Sequence, residues 1–205
     1  MEQRLWMILQ LFGGAALFLY SMDTLTDALQ QAAGDTLRQA LARLTAHPLA
    51  GVLTGAAVTA VVQSSSATIG VLQGVARQAG PDGVHSLLGL TAAIPILLGD
   101  NIGTTITAVL AAIGQGRDAK RVAAAHAIFN LSGAAVCCAL LQPFAALVRL
   151  CSPAGVECAV IARQIANAHT LFNVLCALVW LPLTGQMVRL VCALLPDKKR
   201  PQERL

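Results

Sequence analysis

The sequence predicts an all-α polytopic membrane protein whose apolar helices are interrupted by polar breaks. Three observations lead there. Of the 205 residues, 56% are hydrophobic and only 12% charged, against about a quarter charged in a soluble domain. The mean hydropathy is +0.68. Charge-free windows recur along the chain at lengths that suit a bilayer. An ordinary cytosolic enzyme and a disordered chain both fall outside this composition. The net charge of +4, from 14 Lys+Arg against 10 Asp+Glu, suits basic loops beside a membrane. With 4% aromatics, the chain lacks the stacking surface that nucleic acid needs, so no nucleic-acid partner is expected.

The elements follow in order. Leu5 to Met22 is 18 residues without a charge and reads as a retained helix, since no small-residue cleavage site follows it. In Asp23 to Thr45, Leu25, Leu29, Leu37, Leu41 and Leu44 recur at helical spacing among charges. That pattern suits an interfacial helix, interrupted or capped near Gly34-Asp35. Thr45 to Ala76 is a 32-residue window in which only His47 can carry charge. It is too long for one untilted span and too polar in the middle. Val84 to Gly99 and Asn101 to Gly116 form a third apolar region, split by Asp100 and bent by Pro95 and Gly99. Val122 to Val148 is a fourth, and Ala166 to Val188 a fifth, broken late by Pro182. The division is one transmembrane domain over 1–196 and a basic polar tail over 197–205.

The six cysteines form no CxxC pair and sit mostly in apolar stretches, where Cys behaves as a small hydrophobe. Cys151 and Cys158 flank a short loop in which a disulfide has weak support.

Two polar clusters interrupt the apolar runs. One is Gln63-Ser64-Ser65-Ser66-Ala67-Thr68, and the other runs from Gly99 through Asp100, Asn101, Gly103, Thr104 and Thr105 to Thr107. Facing hydrocarbon would cost several kcal/mol per unsatisfied polar group. The groups must therefore face protein, water or a ligand, and the backbone is expected to unwind or to turn at the tip of a re-entrant hairpin. Broken helices offer N–H groups to an anion and carbonyl or hydroxyl oxygens to Na+. Neither cluster contains Lys or Arg, so an anion there would need co-bound cations and dipoles. The competing reading is packing: hydroxyls bonded back to carbonyls, and Gly99 and Gly103 permitting close helix approach. Asp100 reads either as a coupling group that takes a cation or a proton, or as a cap for a helix beginning at Asn101. A short echo, Ala125-His126 to Phe129-Asn130 and Ala168-His169 to Phe172-Asn173, places His and Asn on one helix face twice. It reads either as interhelical hydrogen bonding or as part of a transport path.

Gly51 to Thr68, with Gln63-Ser64-Ser65-Ser66 inside it, resembles the QSSS repeat of the sodium-dependent phosphate cotransporter family, bacterial and animal type II members alike. Asn101-Ile102-Gly103-Thr104-Thr105 resembles that family's NIGTT element, and the two His/Asn segments resemble its second half. The resemblance covers roughly Leu11 to Leu195. It implies Na+-coupled symport of inorganic phosphate, a secondary active transporter and not an enzyme, in a bacterial cytoplasmic (inner) membrane. It implies phosphate and Na+ sites from Gln63, Ser64, Ser65, Ser66 and Thr68 with Asn101, Thr104 and Thr105, and Na+ held through Ser65, Ser66 and Thr104. Asp100 stands where the family usually has a small residue, a departure that bears on charge balance or ion coupling. No cofactor is implied, and Na+ is the coupling ion.

The family's transport unit holds two QSSS repeats in opposite orientation, whereas this chain has one. The fold class is therefore one half of an inverted-repeat transporter. Three explanations follow: a homo-oligomer pairing antiparallel, a homologous half-protein as partner, or a truncated product of a longer reading frame. The alternative function is a non-transporting assembly partner or phosphate sensor with an incomplete site. Ser64–Ser66 with His126 or His169 does not make a hydrolase, because no GxSxG elbow and no orienting acid is present.

Overall fold

A computed structural model describes residues 3–17, positions 20, 21, 24 and 28, and residues 47–197. Helix α1 covers residues 3–17, with every side chain exposed. The expected interfacial helix over 23–45 and the tail beyond Asp197 lie almost wholly outside the described residues. Then follow α2 (Pro48–Val62), α3 (Ser65–Ala76), α4 (Leu90–Gly103), α5 (Thr105–Ala111), α6 (Arg117–Ala139), α7 (Leu141–Leu150), α8 (Glu157–Trp180) and α9 (Thr184–Leu194). The fold is all-α; among the described residues one antiparallel bridge, Ala79 to Ser86, closes the loop between α3 and α4.

The sequence dictates the break between α2 and α3. His47 caps α2 by accepting from the Leu49 amide, and Pro48 opens the first turn, where its missing N–H costs nothing. Gln63 ends the helix in the left-handed region at φ 55°. Ser64 is extended, and its Oγ accepts from the Ala67 amide at 3.3 Å to start α3. Thr59 and Thr68, on either side of this turn, meet at 3.2 Å. At 15 and 12 residues, neither leg is long enough to cross a bilayer core, which needs about 20. The pair forms a helical hairpin.

Helix α4 is the centre of the molecule, buried from Ala93 to Asn101. Ile94, Leu97 and Leu98 are fully buried, and Leu72, Val148, Ile161, Ile165 and Phe172 from α3, α7 and α8 pack into the same core. Helix α2 lies tightly along α4. A Cβ on Gly55 would strike the Ile96 carbonyl, one on Gly99 would strike the Val52 carbonyl, and one on Gly103 would come within 2.6 Å of the Ala56 carbonyl oxygen. Small residues on both helices let the backbones approach, as in membrane helix pairs.

Two expectations need correction. The predicted break at Asp100 and the NIGTT element is absent: Leu90–Ala111 runs as a 22-residue apolar span, interrupted only at Thr104, which keeps helical angles. Nor does Asp100 cap a helix, since it lies inside α4. Unwinding is unnecessary because the polar side chains satisfy themselves backward. Asn101 Nδ2 donates to the Leu97 carbonyl, and the Thr104 and Thr105 hydroxyls to the Asn101 and Ile102 carbonyls.

The fourth window spans two helices. It divides at Leu140 into α6 and α7, because the Pro143 ring cannot accommodate the carbonyl four residues before it. The fifth window does break near Pro182, with an 85° bend between α8 and α9. All six cysteines are free, so Cys151 and Cys158 are not bridged. Among the described residues, α4–α5 and α6 are long and apolar enough to cross a membrane, and the bent pair α8–α9 is apolar enough to be a broken span or a re-entrant loop.

Candidate functional site

The α2–α3 turn does not end in solvent alone. Its tip faces α4, α6 and α8 across a cavity of about 520 Å³. Gln63, Ser64, Ser65 and Ser66 form one wall. Asn101, Thr104 and Thr107 form the floor, and His126, Phe129, Asn130, His169 and Asn173 the opposite wall. The lining thus brings together six of the residues named from the sequence: Gln63, Ser64, Ser65, Ser66, Asn101 and Thr104. Thr68 and Thr105 stand outside it. Thr68 is buried beneath the tip and donates to the Ser64 carbonyl at 3.1 Å. Thr105 donates to the Ile102 carbonyl at 2.7 Å.

Asp100 also stays behind the lining. It is fully buried. The Thr59 hydroxyl donates to its Oδ1 at 2.6 Å, and its Oδ2 has no hydrogen-bond partner. Because Thr59 touches Thr68 as well, one short chain of polar contacts fastens both legs of the hairpin to α4. Among the described residues, Asp100 makes no salt bridge; the ion pairs there join His85 to Asp82, and Arg121 to Asp118 and Asp197.

The hydrogen-bond inventory divides the lining into two chemical sides. On the floor, the Thr104 and Thr107 hydroxyls spend their protons on the Asn101 and Thr104 carbonyls, each at 2.7 Å. Their oxygens remain free to accept, which suits a cation. At the tip, Ser64 Oγ accepts from Ala67 N and keeps its own O–H to donate. The first N–H groups of α3 also point out of the helix here, a disposition that favours an anion. The lining contains no Lys, Arg, Asp or Glu.

The residues that sequence reasoning left out of the site are Thr107, Phe129 and the two His/Asn pairs. The signal for the pairs was present as the echo. In the structure the echo has one local meaning: Asn130 Nδ2 donates to the His126 carbonyl at 3.0 Å, and Asn173 Nδ2 to the His169 carbonyl at 2.9 Å. Asn173 also reaches Asn101 Oδ1 at 3.4 Å, an interhelical contact.

Comparison with known proteins decides the family. A family model described as Na+/Pi-cotransporter matches residues 17–172. The chain belongs to the Na+/Pi-cotransporter family. Every cavity-lining residue except Asn173 falls inside the matched stretch of this cotransporter domain. The uncharacterized protein YqeW of Bacillus subtilis (strain 168) is 40% identical over 147 residues, 72% of this chain and 44% of YqeW. Sodium-dependent phosphate transport protein 2A of Oryctolagus cuniculus is 36% identical over 106 residues, 50% of this chain and 15% of that protein. Sodium-dependent phosphate transport protein 2B of Homo sapiens is 33% identical over 131 residues, 60% of this chain and 18% of that protein. The matched region is thus under half the length of each of these relatives. No solved structure matches the chain. Family membership and the apolar spans together make this an integral membrane protein of the cotransporter family.

Proposed function

We propose that this chain carries inorganic phosphate across the bacterial cytoplasmic membrane by secondary active symport with Na+. Phosphate sits at the hairpin tip against Gln63, Ser64, Ser65 and Ser66. Na+ sits between the tip hydroxyls of Ser65 and Ser66 and the Thr104 oxygen, beside Asn101. One observation carries the reading: the tip donors and the floor acceptors of a Na+/Pi-cotransporter family member line one cavity. An anion and a cation held side by side offset each other's charge in a site with no charged side chain of its own. Asp100, Thr59 and Thr68 act from behind, by holding the hairpin against α4. Thr105 steadies the α4–α5 junction through its backbone bond. An opposing hairpin completes the site, from a second copy, a homologous half-protein or the remainder of a longer reading frame, because inverted-repeat sites form between two repeats and residues 1–205 carry one QSSS.

Uptake of radiolabelled phosphate into proteoliposomes tests this. A Na+ gradient should drive accumulation, and Gln63→Ala or Ser65→Ala should lower the uptake rate on the order of tenfold, as loss of one hydrogen bond to a charged ligand does. Equal uptake with and without the gradient would refute the symport. Phosphate bound by the purified protein but never moved would favour the sensor or assembly-partner role instead.

A further inference from the structure

The wall opposite the hairpin tip carries two polar side chains with no hydrogen-bond partner among the described residues. Its amides are committed: Asn130 and Asn173 each donate to the carbonyl of the histidine one turn earlier. The floor is committed too, through Asn101, Thr104 and Thr107. His126 and His169 are not. Neither imidazole makes a hydrogen bond among the described residues, yet both line the cavity from different helices. The other two histidines lie elsewhere and are engaged. His47 Nδ1 accepts from Leu49 N, and His85 Nδ1 lies 2.6 Å from Asp82 Oδ2.

A neutral imidazole carries one donor and one acceptor nitrogen. Hydrogen phosphate needs several donors for its oxygens and one acceptor for its own hydroxyl. The hairpin tip supplies donors from one direction only, and the same Asn-to-carbonyl bond recurs on the two histidine-bearing turns of α6 and α8. With a volume of about 520 Å³, the cavity has room for the anion and several waters, at about 30 Å³ each.

We propose that His126 and His169 are anion-recognition residues that hydrogen-bond phosphate across the cavity from the hairpin tip. The inference rests on the placing of phosphate at that tip. It makes the two imidazoles specificity-determining side chains, and it gives the repeated His/Asn pattern a ligand.

The four histidines provide an internal control. In protein labelled at its histidine rings, addition of inorganic phosphate, with chloride at equal ionic strength as reference, should shift the His126 and His169 ring signals and leave those of His47 and His85 in place. Equal movement of all four would mean non-specific anion effects and overturn the assignment. Radiolabelled phosphate that binds without shifting His126 or His169 would overturn it while leaving the hairpin-tip site standing; no phosphate binding at all would overturn both. In proteoliposomes, His126→Ala and His169→Ala should each raise KM for phosphate on the order of tenfold with the maximal rate largely kept. His→Gln, which restores a donor and an acceptor, should recover part of that loss. An unchanged KM in both alanine variants would also overturn the proposal.

Discussion

Gln63 holds the hairpin tip in a backbone conformation that disfavours side chains. It is the only non-glycine with positive φ among the described residues, at 55°, a conformation that costs a side-chain-bearing residue about 1 kcal/mol. Gln63→Gly should therefore raise stability by roughly 0.5–1 kcal/mol while phosphate uptake falls, because the amide is lost. Thermal unfolding and uptake assays on the same preparation would read both, and a variant that kept full uptake would remove Gln63 from the site. Beneath the tip, Asp100→Ala should cost about 1 kcal/mol by removing the nearer acceptor of the Thr59 hydroxyl, which keeps only Thr68 at 3.2 Å, seen as a lower midpoint in chemical denaturation.

The Asp82–His85 contact lies in the loop between α3 and α4, outside the spans. Its hydrogen bonds hold Asp82 down at about 2 and raise His85 above its usual 6.5. The stabilisation from Asp82 is present above its ordinary 3.8 and is lost as pH falls toward about 2. That from His85 is complete below 6.5 and is lost as pH rises through its elevated value. The contact is therefore strongest between these limits. NMR titration should find His85 above 6.5, and Asp82→Asn should lower it.

At the scale of elements, the α2–α4 pair is the most sensitive to side-chain volume. Gly55→Ala or Gly99→Ala would force a methyl group into a facing carbonyl, and overpacking of this kind costs about 1–3 kcal/mol. Gly185, with open space around it, should tolerate alanine without loss. Melting temperatures of the three variants check the contrast; equal behaviour would mean that α2 and α4 do not pack this closely. Some elements were legible in the sequence. The hairpin turn was announced by four consecutive polar residues, and the α8–α9 bend by Pro182. The α6–α7 break carried its signal in Pro143, which the length of the apolar window concealed. The NIGTT segment misled because polarity alone does not unwind a helix: hydroxyls and amides that bond back three or four residues are satisfied without leaving it.

At the scale of the molecule, α4 organises everything else. It anchors the hairpin through Asp100, supplies the floor through Asn101, and packs against α6 and α8, which bring the histidines. Gln63, Ser66 and His126 remain exposed at the rim, where an opposing hairpin would close the cavity. On the reading that a second copy supplies that hairpin, purified protein should sediment as a complex of at least two chains, and a Ser66→Cys variant in a background without native thiols should crosslink to its partner. A lone chain active in transport would contradict the two-repeat site.

The sequence by itself determined the membrane class, the family resemblance and the hairpin, because charge depletion, consecutive hydroxyls and helix-breaking residues act over a few neighbouring positions. Only the tertiary structure decided that Asp100 is a buried tie and not a cap, that Thr68 and Thr105 stand off the cavity, and that two distant His/Asn turns face one serine-rich tip. Those outcomes depend on which backbones can approach. Here glycine contacts between α2 and α4 set the approach, across a separation of about forty residues that local patterning does not encode.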